Sequence, residues 1–200
     1  MKIIGLTGGT GSGKSSAARR FEEHNIPVID ADRIGHALIS PGGAAEVPVI
    51  QAFGEGILTS GIIDRAKLGA IVFDSPDLLA KLNSLVHPRL FQTIAQQCQE
   101  YLNRGEAHVV IDAALLAERG VKEDWLSLLV LVTAPEAARV KRLATGRSIP
   151  VDVATQRIRA QSDPELKRPL ADWVIDNGGS IEQLNKQVDT IVEELLGARS

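Results

Sequence analysis

The 200-residue chain has 44% hydrophobic and 24% charged residues and a formal net charge of −3. That balance suits one globular domain with an elaboration, and it argues against a general nucleic-acid binder, which is usually basic. A single cysteine, Cys98, excludes an intramolecular disulfide and a multi-cysteine zinc site, and no apolar run reaches the roughly 18 residues a membrane helix needs.

The first predicted strand is Lys2–Thr7, which the N-terminus enters directly, leaving no room for a signal peptide. It leads into Gly8-Gly9-Thr10-Gly11-Ser12-Gly13-Lys14-Ser15, which fits G-x-x-x-x-G-K-[ST], the spacing of a triphosphate-binding loop. Glycines let successive backbone N–H groups converge on phosphate oxygens, Lys14 brings a cation to the β- and γ-phosphates, and the Ser15 hydroxyl suits Mg²⁺. Gly9, Thr10, Gly11, Ser12, Gly13, Lys14, Ser15 and the adjacent Ser16 are the expected ATP contacts. A helix is predicted from Ser16 to His24, with Ala17, Ala18 and Phe21 as its packing face, and its N-terminal dipole adds to the anion site.

A second strand, Ile26–Asp30, ends in Asp30-Ala31-Asp32. Ligands of open α/β sheets bind beyond the carboxyl ends of strands, so these carboxylates are expected at the crevice. Asp32 is the expected base for an attacking hydroxyl, with Asp30 or Asp32 also suited to capping a helix. If 33–38 is helical, His36 lies one turn along from Asp32, where a structural and a binding role stand equally open. From 31 to 107 the chain carries an unusually long connection, read as an inserted helical substrate lobe. Its helices are predicted around Leu78, Leu79, Leu82, Leu85 and Val86, and again from Pro88 to about Asn103, with His87-Pro88-Arg89 a breaker between them. Cys98 is read as a packed thiol on that last helix.

The remaining strands are predicted at His108–Asp112, Leu128–Thr133 and Trp173–Asp176, near-continuous apolar runs typical of a parallel sheet buried on both faces. Asp112 stands where an acid would hold metal through water, a position Asp32 shares, although a turn-forming role for Asp112 is nearly as good. Arg139 to Arg168 holds eight basic residues against Asp152, Asp163 and Glu165. With a triphosphate nearby, this window reads as a lid whose guanidinium forks meet phosphate oxygens. Asp176-Asn177-Gly178-Gly179 reads as a turn, or as a ledge for adenine at Asn177. Ser180 and Gln183 make a capping box for a final helix that buries Leu184, Val188, Ile191, Val192 and Leu195. The alternation of elements predicts a three-layer α/β fold. No N-K-x-D follows Leu128–Thr133, which argues against a guanine-nucleotide switch.

Together these pieces resemble the dephospho-coenzyme A kinase family. Asp30-Ala31-Asp32-Arg33-Ile34-Gly35-His36 looks like its DADxIxH signature and His87-Pro88 like its HP motif. Arg157-Ile158-Arg159-Ala160-Gln161, Lys167-Arg168-Pro169-Leu170-Ala171-Asp172 and Ile175-Asp176-Asn177-Gly178-Gly179 resemble RIxxQ, KRxxAD and IDNxG. The resemblance implies a phosphate-loop kinase fold with a five-stranded parallel sheet. Its core would occupy about 1–32, 104–138 and 170–200, with a helical coenzyme-binding insertion at about 33–103 and a helical lid at about 139–169. It implies transfer of the ATP γ-phosphoryl to the ribose 3′-hydroxyl of dephospho-CoA. The phosphate loop suits Mg²⁺, and composition makes a cytoplasmic enzyme the default, expected as a monomer or small homo-oligomer that binds neither nucleic acid nor membrane. Another small-metabolite or nucleoside kinase on the same core is the alternative.

Catalysis is expected to fall to Asp32, Lys14, Arg139 and Arg142, with Arg147 on the nucleotide. Asp32, His36, His87, Arg89, Leu115 and Arg157 are expected on the acceptor. Two departures stand out. Asp112-Ala113-Ala114-Leu115-Leu116-Ala117-Glu118 replaces a usual DxPLLFE, with alanines for the Pro and the Phe at the local wall of the acceptor pocket. Arg142 and Arg147 are spaced one residue wider than R-L-x-x-R.

Overall fold

The computed structural model describes residues 1–73, 75–117, 121–146, 149–161 and 164–197. Among them the strands are β1 (Lys2–Thr7), β2 (Val28–Asp30), β3 (Leu58–Thr59), β4 (Ile62–Ile63), β5 (His108–Asp112), β6 (Leu128–Thr133) and β7 (Trp173–Asp176). The helices are α1 (Lys14–Glu23), α2 (Ala31–Leu38), α3 (Glu46–Phe53), α4 (Arg65–Phe73), α5 (Pro76–Asn103), α6 (Glu136–Gly146), α7 (Val151–Arg159) and α8 (Ile181–Gly197). The chain forms two compact units, one of Met1–Ile29 with Tyr101–Ser200 and one of Asp30–Glu100.

The first unit is built on a five-stranded parallel sheet in the order β2-β5-β1-β6-β7. Ile4 aligns with Val110 on one side of β1 and with Leu128 on the other. Parallel strands need long crossovers and coverage on both faces, which is why these segments are apolar almost throughout. Ala17, Ala18 and Phe21 of α1 and Leu184, Val188, Ile191, Val192 and Leu195 of α8 join Ile4, Leu6, Val110, Val130, Val132 and Ile175 in one core. On the opposite face of β1, Leu116 and Leu126 lie so close to Gly5 that a side chain there would collide with them. Helices α6 and α7 have a smaller core of their own, with Leu143, Ala154 and Ile158 buried and Val140 and Ile149 packed against them.

Three strands, β5, β6 and β7, fall on the predicted residues, as does β1. The second begins at Val28 rather than Ile26, because Ile26 is used to close α1. Asn25 takes the left-handed conformation (φ 59°), its N–H reaches Glu22 O at 2.8 Å, and the Ile26 N–H reaches Phe21 O at 3.1 Å. That is a Schellman closure with Ile26 and Phe21 both buried. Helix α1 also starts two residues earlier than expected, directly on Gly13. The box at α8 is present: Ser180 N–H donates to Gln183 Oε1 (2.9 Å) and Gln183 N–H to Ser180 Oγ (3.4 Å).

The second unit corrects one expectation. His87-Pro88-Arg89 does not separate two helices; α5 runs unbroken through Pro88. Pro88 removes one internal hydrogen bond and crowds the turn before it. The Arg89 guanidinium spans this point, donating to Leu85 O within the helix (2.7 Å) and to Ala44 O before α3 (2.9 Å). The helix also buries Leu90, Ile94 and Cys98 just beyond the proline. Phe91 and Leu102 on the same helix are exposed. The hairpin β3–β4, turned at Ser60 and Gly61 with φ of 52° and 78°, was not foreseen; its strands are only two residues long.

Candidate active site

The glycine-rich run from Gly8 to Ser15 joins the carboxyl end of β1 to α1. Gly13 sits at φ 98° as the residue before the helix, a conformation that excludes most side chains, and a methyl there would overlap Asn177 Nδ2. The first turn of an α-helix has N–H groups with no partner inside the helix, and the helix dipole makes this end of α1 positive. The left-handed Gly13 and the positive end of α1 thus meet where the sequence analysis expects an anion.

The carbonyl side of the loop is held by three side chains from two later places, α6 and the segment after β7. Arg139 is buried on α6, and its Nε donates to Thr10 O at 2.9 Å. Arg142, one turn on, donates through Nη1 to Gly11 O and Ser12 O (both 3.3 Å) and through Nη2 to Asn177 O (2.8 Å). Asn177 follows β7 and is itself buried; its Nδ2 donates to Ser12 O at 2.7 Å and its N–H to Thr133 O at 2.8 Å. Burial lowers the Arg139 guanidinium below its usual range, an effect opposed by the charge of Glu136. A guanidinium still keeps its proton there, so three carbonyl dipoles face fixed positive charge.

Lys14, the first residue of α1, makes an ion pair with Asp112, which ends the adjacent strand β5. Both are largely buried. Lys167 is also buried, with Nζ donating to Ala114 O (2.8 Å) and to Thr7 Oγ1 (3.3 Å). Ser12 Oγ is buried without a hydrogen-bond partner, pressed against Gly8. Ser15 is exposed at the mouth of the loop, and Leu115 is half-buried after β5. Arg157 is exposed on α7. Arg147 lies outside the described residues, as does Glu118.

The remaining predicted residues belong to the second unit. Asp30 caps α2, accepting from the Arg33 N–H at 2.8 Å, so the capping role goes to Asp30 and Asp32 lies exposed in the first turn. Asp32 and His36, four residues apart on one helix, share a face. His87 on α5 stacks edge-on against Phe91, with ring centroids 5.9 Å apart. Arg89 is committed to the two backbone carbonyls described above.

Sequence reasoning assigned no role to Gln161 or Lys167 as individual residues. Gln161 follows α7 and grips the loop at Thr10, and Lys167 binds Thr7 and Ala114 O. The only signal for either was their place in the RIxxQ and KRxxAD runs. A buried lysine in a window otherwise read as a solvated lid could not be inferred from charge pattern alone.

The sequence model of the family described as dephospho-CoA kinase matches residues 2–183. A dephospho-CoA kinase of Carboxydothermus hydrogenoformans is 43% identical over 97% of this chain and 94% of its own. A solved Thermus thermophilus protein shares 34% identity, with a TM-score of 0.82 and coverage of 97% of both chains. A shikimate kinase from Acinetobacter baumannii, 15% identical with a TM-score of 0.50 over 100% of this chain and 95% of that one, shares the fold alone.

Proposed function

The chain belongs to the dephospho-CoA kinase family, and from that premise we propose how its own residues divide the transfer of the ATP γ-phosphoryl to the ribose 3′-hydroxyl of dephospho-CoA. The observation that carries the proposal is the loop itself. Its N–H side opens at the positive end of α1, while Arg139, Arg142 and Asn177 fix its carbonyl side.

The triphosphate binds along Gly9 to Ser16. Lys14 holds β- and γ-phosphate oxygens, and the ion pair with Asp112 keeps its ammonium near the loop's interior before it does so. Arg139 and Arg142 act on the donor by holding the cradle rigid, so that its N–H groups need no rearrangement as charge develops. Arg147 is assigned to the nucleotide and Arg157 to the acceptor. Asn177 supports the ledge for adenine. Asp32 accepts the proton of the 3′-hydroxyl, and His36, His87, Arg89 and Leu115 contribute to the acceptor's binding surface.

Mg²⁺ fits the donor set. The Ser15 hydroxyl and the Asp112 or Asp32 carboxylate are hard oxygen ligands, and the described residues contain no cluster of three or more His, Cys, Asp or Glu that would cage an ion alone. An ion that retains waters and is shared with substrate phosphates needs only one or two such groups. When bound, it would neutralise charge on the β- and γ-phosphates. No described helix is long and apolar enough to cross a membrane. We place the protein in the cytoplasm, where a reducing environment suits its buried lone thiol.

The test is a panel of alcohol acceptors with ATP, scored by ADP release. Turnover on dephospho-CoA at least a hundredfold above that on shikimate, gluconate or adenosine is expected. Comparable or higher turnover on one of those would assign the chain to another acceptor.

A further inference from the structure

Gln161 stands at the end of α7 and uses both atoms of its amide on a single loop residue. Its Oε1 accepts from the Thr10 N–H at 2.8 Å, and its Nε2 donates to Thr10 Oγ1 at 2.8 Å. The same Oε1 accepts from Arg139 Nη2 at 3.0 Å, while Arg139 Nε binds Thr10 O. All the polar atoms of Thr10 are thus taken by two side chains from α6 and the segment after α7.

Gly9 supplies an independent reason to regard this grip as built into the fold. A Cβ on Gly9 would lie 2.5 Å from Arg139 Nη2 and 3.2 Å from Gln161 Oε1. The loop therefore lacks a side chain at that point because the grip occupies the space, and no left-handed backbone is involved. Thr10 is at the apex of the loop, where the Ser12 N–H also turns back to Gly9 O at 3.0 Å. Without side-chain partners, a glycine-rich apex of this kind samples many conformations, and ligand binding bears the cost of ordering it.

We propose that Gln161 is a positioning residue for the nucleotide: it sets the apex of the phosphate loop through Thr10 and Arg139, so that ATP meets an ordered cradle. The inference rests on the ATP-site reading above, because the loop that Gln161 grips is the proposed triphosphate cradle. Gln161 acts through Thr10 and does not touch the reacting atoms. It also ties the loop to α7, so the lid segment and the cradle share one ordering step.

The experiment compares the full-length chain with Gln161→Leu and Gln161→Glu by calorimetric titration with ATP alone, followed by steady-state kinetics. Leucine keeps the volume and loses every hydrogen bond. Glutamate keeps the acceptor for the Thr10 N–H and Arg139, and replaces the Nε2 donor with an oxygen that can accept from the Thr10 hydroxyl. The leucine variant is expected to bind ATP about tenfold more weakly and to raise KM for ATP alike, with KM for dephospho-CoA unchanged, as the loss of one to two net hydrogen bonds predicts. The glutamate variant is expected within about twofold of wild type.

Equal ATP affinity in the leucine variant overturns the proposal, as does a glutamate variant as weak as the leucine one. So does a fall in melting temperature with both KM values unmoved, which is the mark of a merely structural residue. If the leucine variant does not fold, Gln161→Asn, one methylene too short to reach Thr10, carries the same expectation. Wild type that fails to bind ATP would refute the site reading itself and is told apart by that titration alone.

Discussion

Asp32 and Asp30 illustrate how two carboxylates two residues apart take different work. Asp30 spends its side chain on the Arg33 N–H as the cap of α2, whereas Asp32 projects from the exposed first turn. The account assigns proton acceptance to Asp32, so Asp32→Asn should lower kcat by about 10²–10⁴ while ATP affinity stays within a few-fold. Single-turnover phosphoryl transfer measured beside an ATP titration separates the two quantities, and a near-normal rate would remove Asp32 from the role. At the same scale, Arg139 and Arg142 were expected on the transferring phosphoryl because guanidinium forks suit phosphate. They donate to the carbonyls of Thr10, Gly11, Ser12 and Asn177, and Arg139 also to Gln161 Oε1. Sequence gives residue type and order, but it does not say whether an arginine meets a ligand oxygen or a backbone one.

Helix α1 carries the loop at its start, and its far end is anchored by Asp189 of α8. Arg20 donates to both carboxylate oxygens of Asp189 (2.7 and 2.9 Å), His24 Nε2 lies 2.7 Å from Oδ1, and Glu23 also takes a bond from Arg20. The hydrogen bond from Arg20, with a further one from His24, lowers the Asp189 carboxyl from an ordinary 3.8 to about 2. A carboxyl depressed in the folded state stabilises fully above its unfolded value, and that contribution is lost as pH falls from about 4 through 2. Asp189→Asn should therefore unfold with a shallower dependence on pH across that window, read by denaturant titration at pH 5, 4, 3 and 2. An unchanged slope would show that the partners do not hold the carboxylate. Elements of this kind were legible in uneven measure. The buried strands announced themselves by uninterrupted apolar runs, and α8 by its capping box and stripe. The β3–β4 hairpin did not, since two-residue strands carry no period. Nor did the continuity of α5, because Pro88 is a breaker by local propensity, whereas burial of Leu90, Ile94 and Cys98 and the bridge made by Arg89 favour the continuous helix.

Across the molecule, the donor half of the reaction was readable from the glycine-rich run and its strand–loop–helix context. The acceptor half was not, because nothing in the spacing of Asp32, His36, His87 and Arg89 specifies a pantetheine-bearing nucleotide over another alcohol. That assignment came from motifs spread along the chain and from the family match over residues 2–183. The altered segment after Asp112 leaves Leu115 and Leu116 in their places, with Ala114 O serving as acceptor for Lys167 and Thr7. The central claim is that phosphate passes from ATP to one hydroxyl of dephospho-CoA. Incubation of the protein with γ-labelled ATP and dephospho-CoA, with the product resolved by phosphorus NMR, tests it most directly. The account predicts one new phosphomonoester at the ribose 3′ position and stoichiometric ADP. Label at the 2′ position, or none in the coenzyme while ATP is consumed on another alcohol, would contradict it.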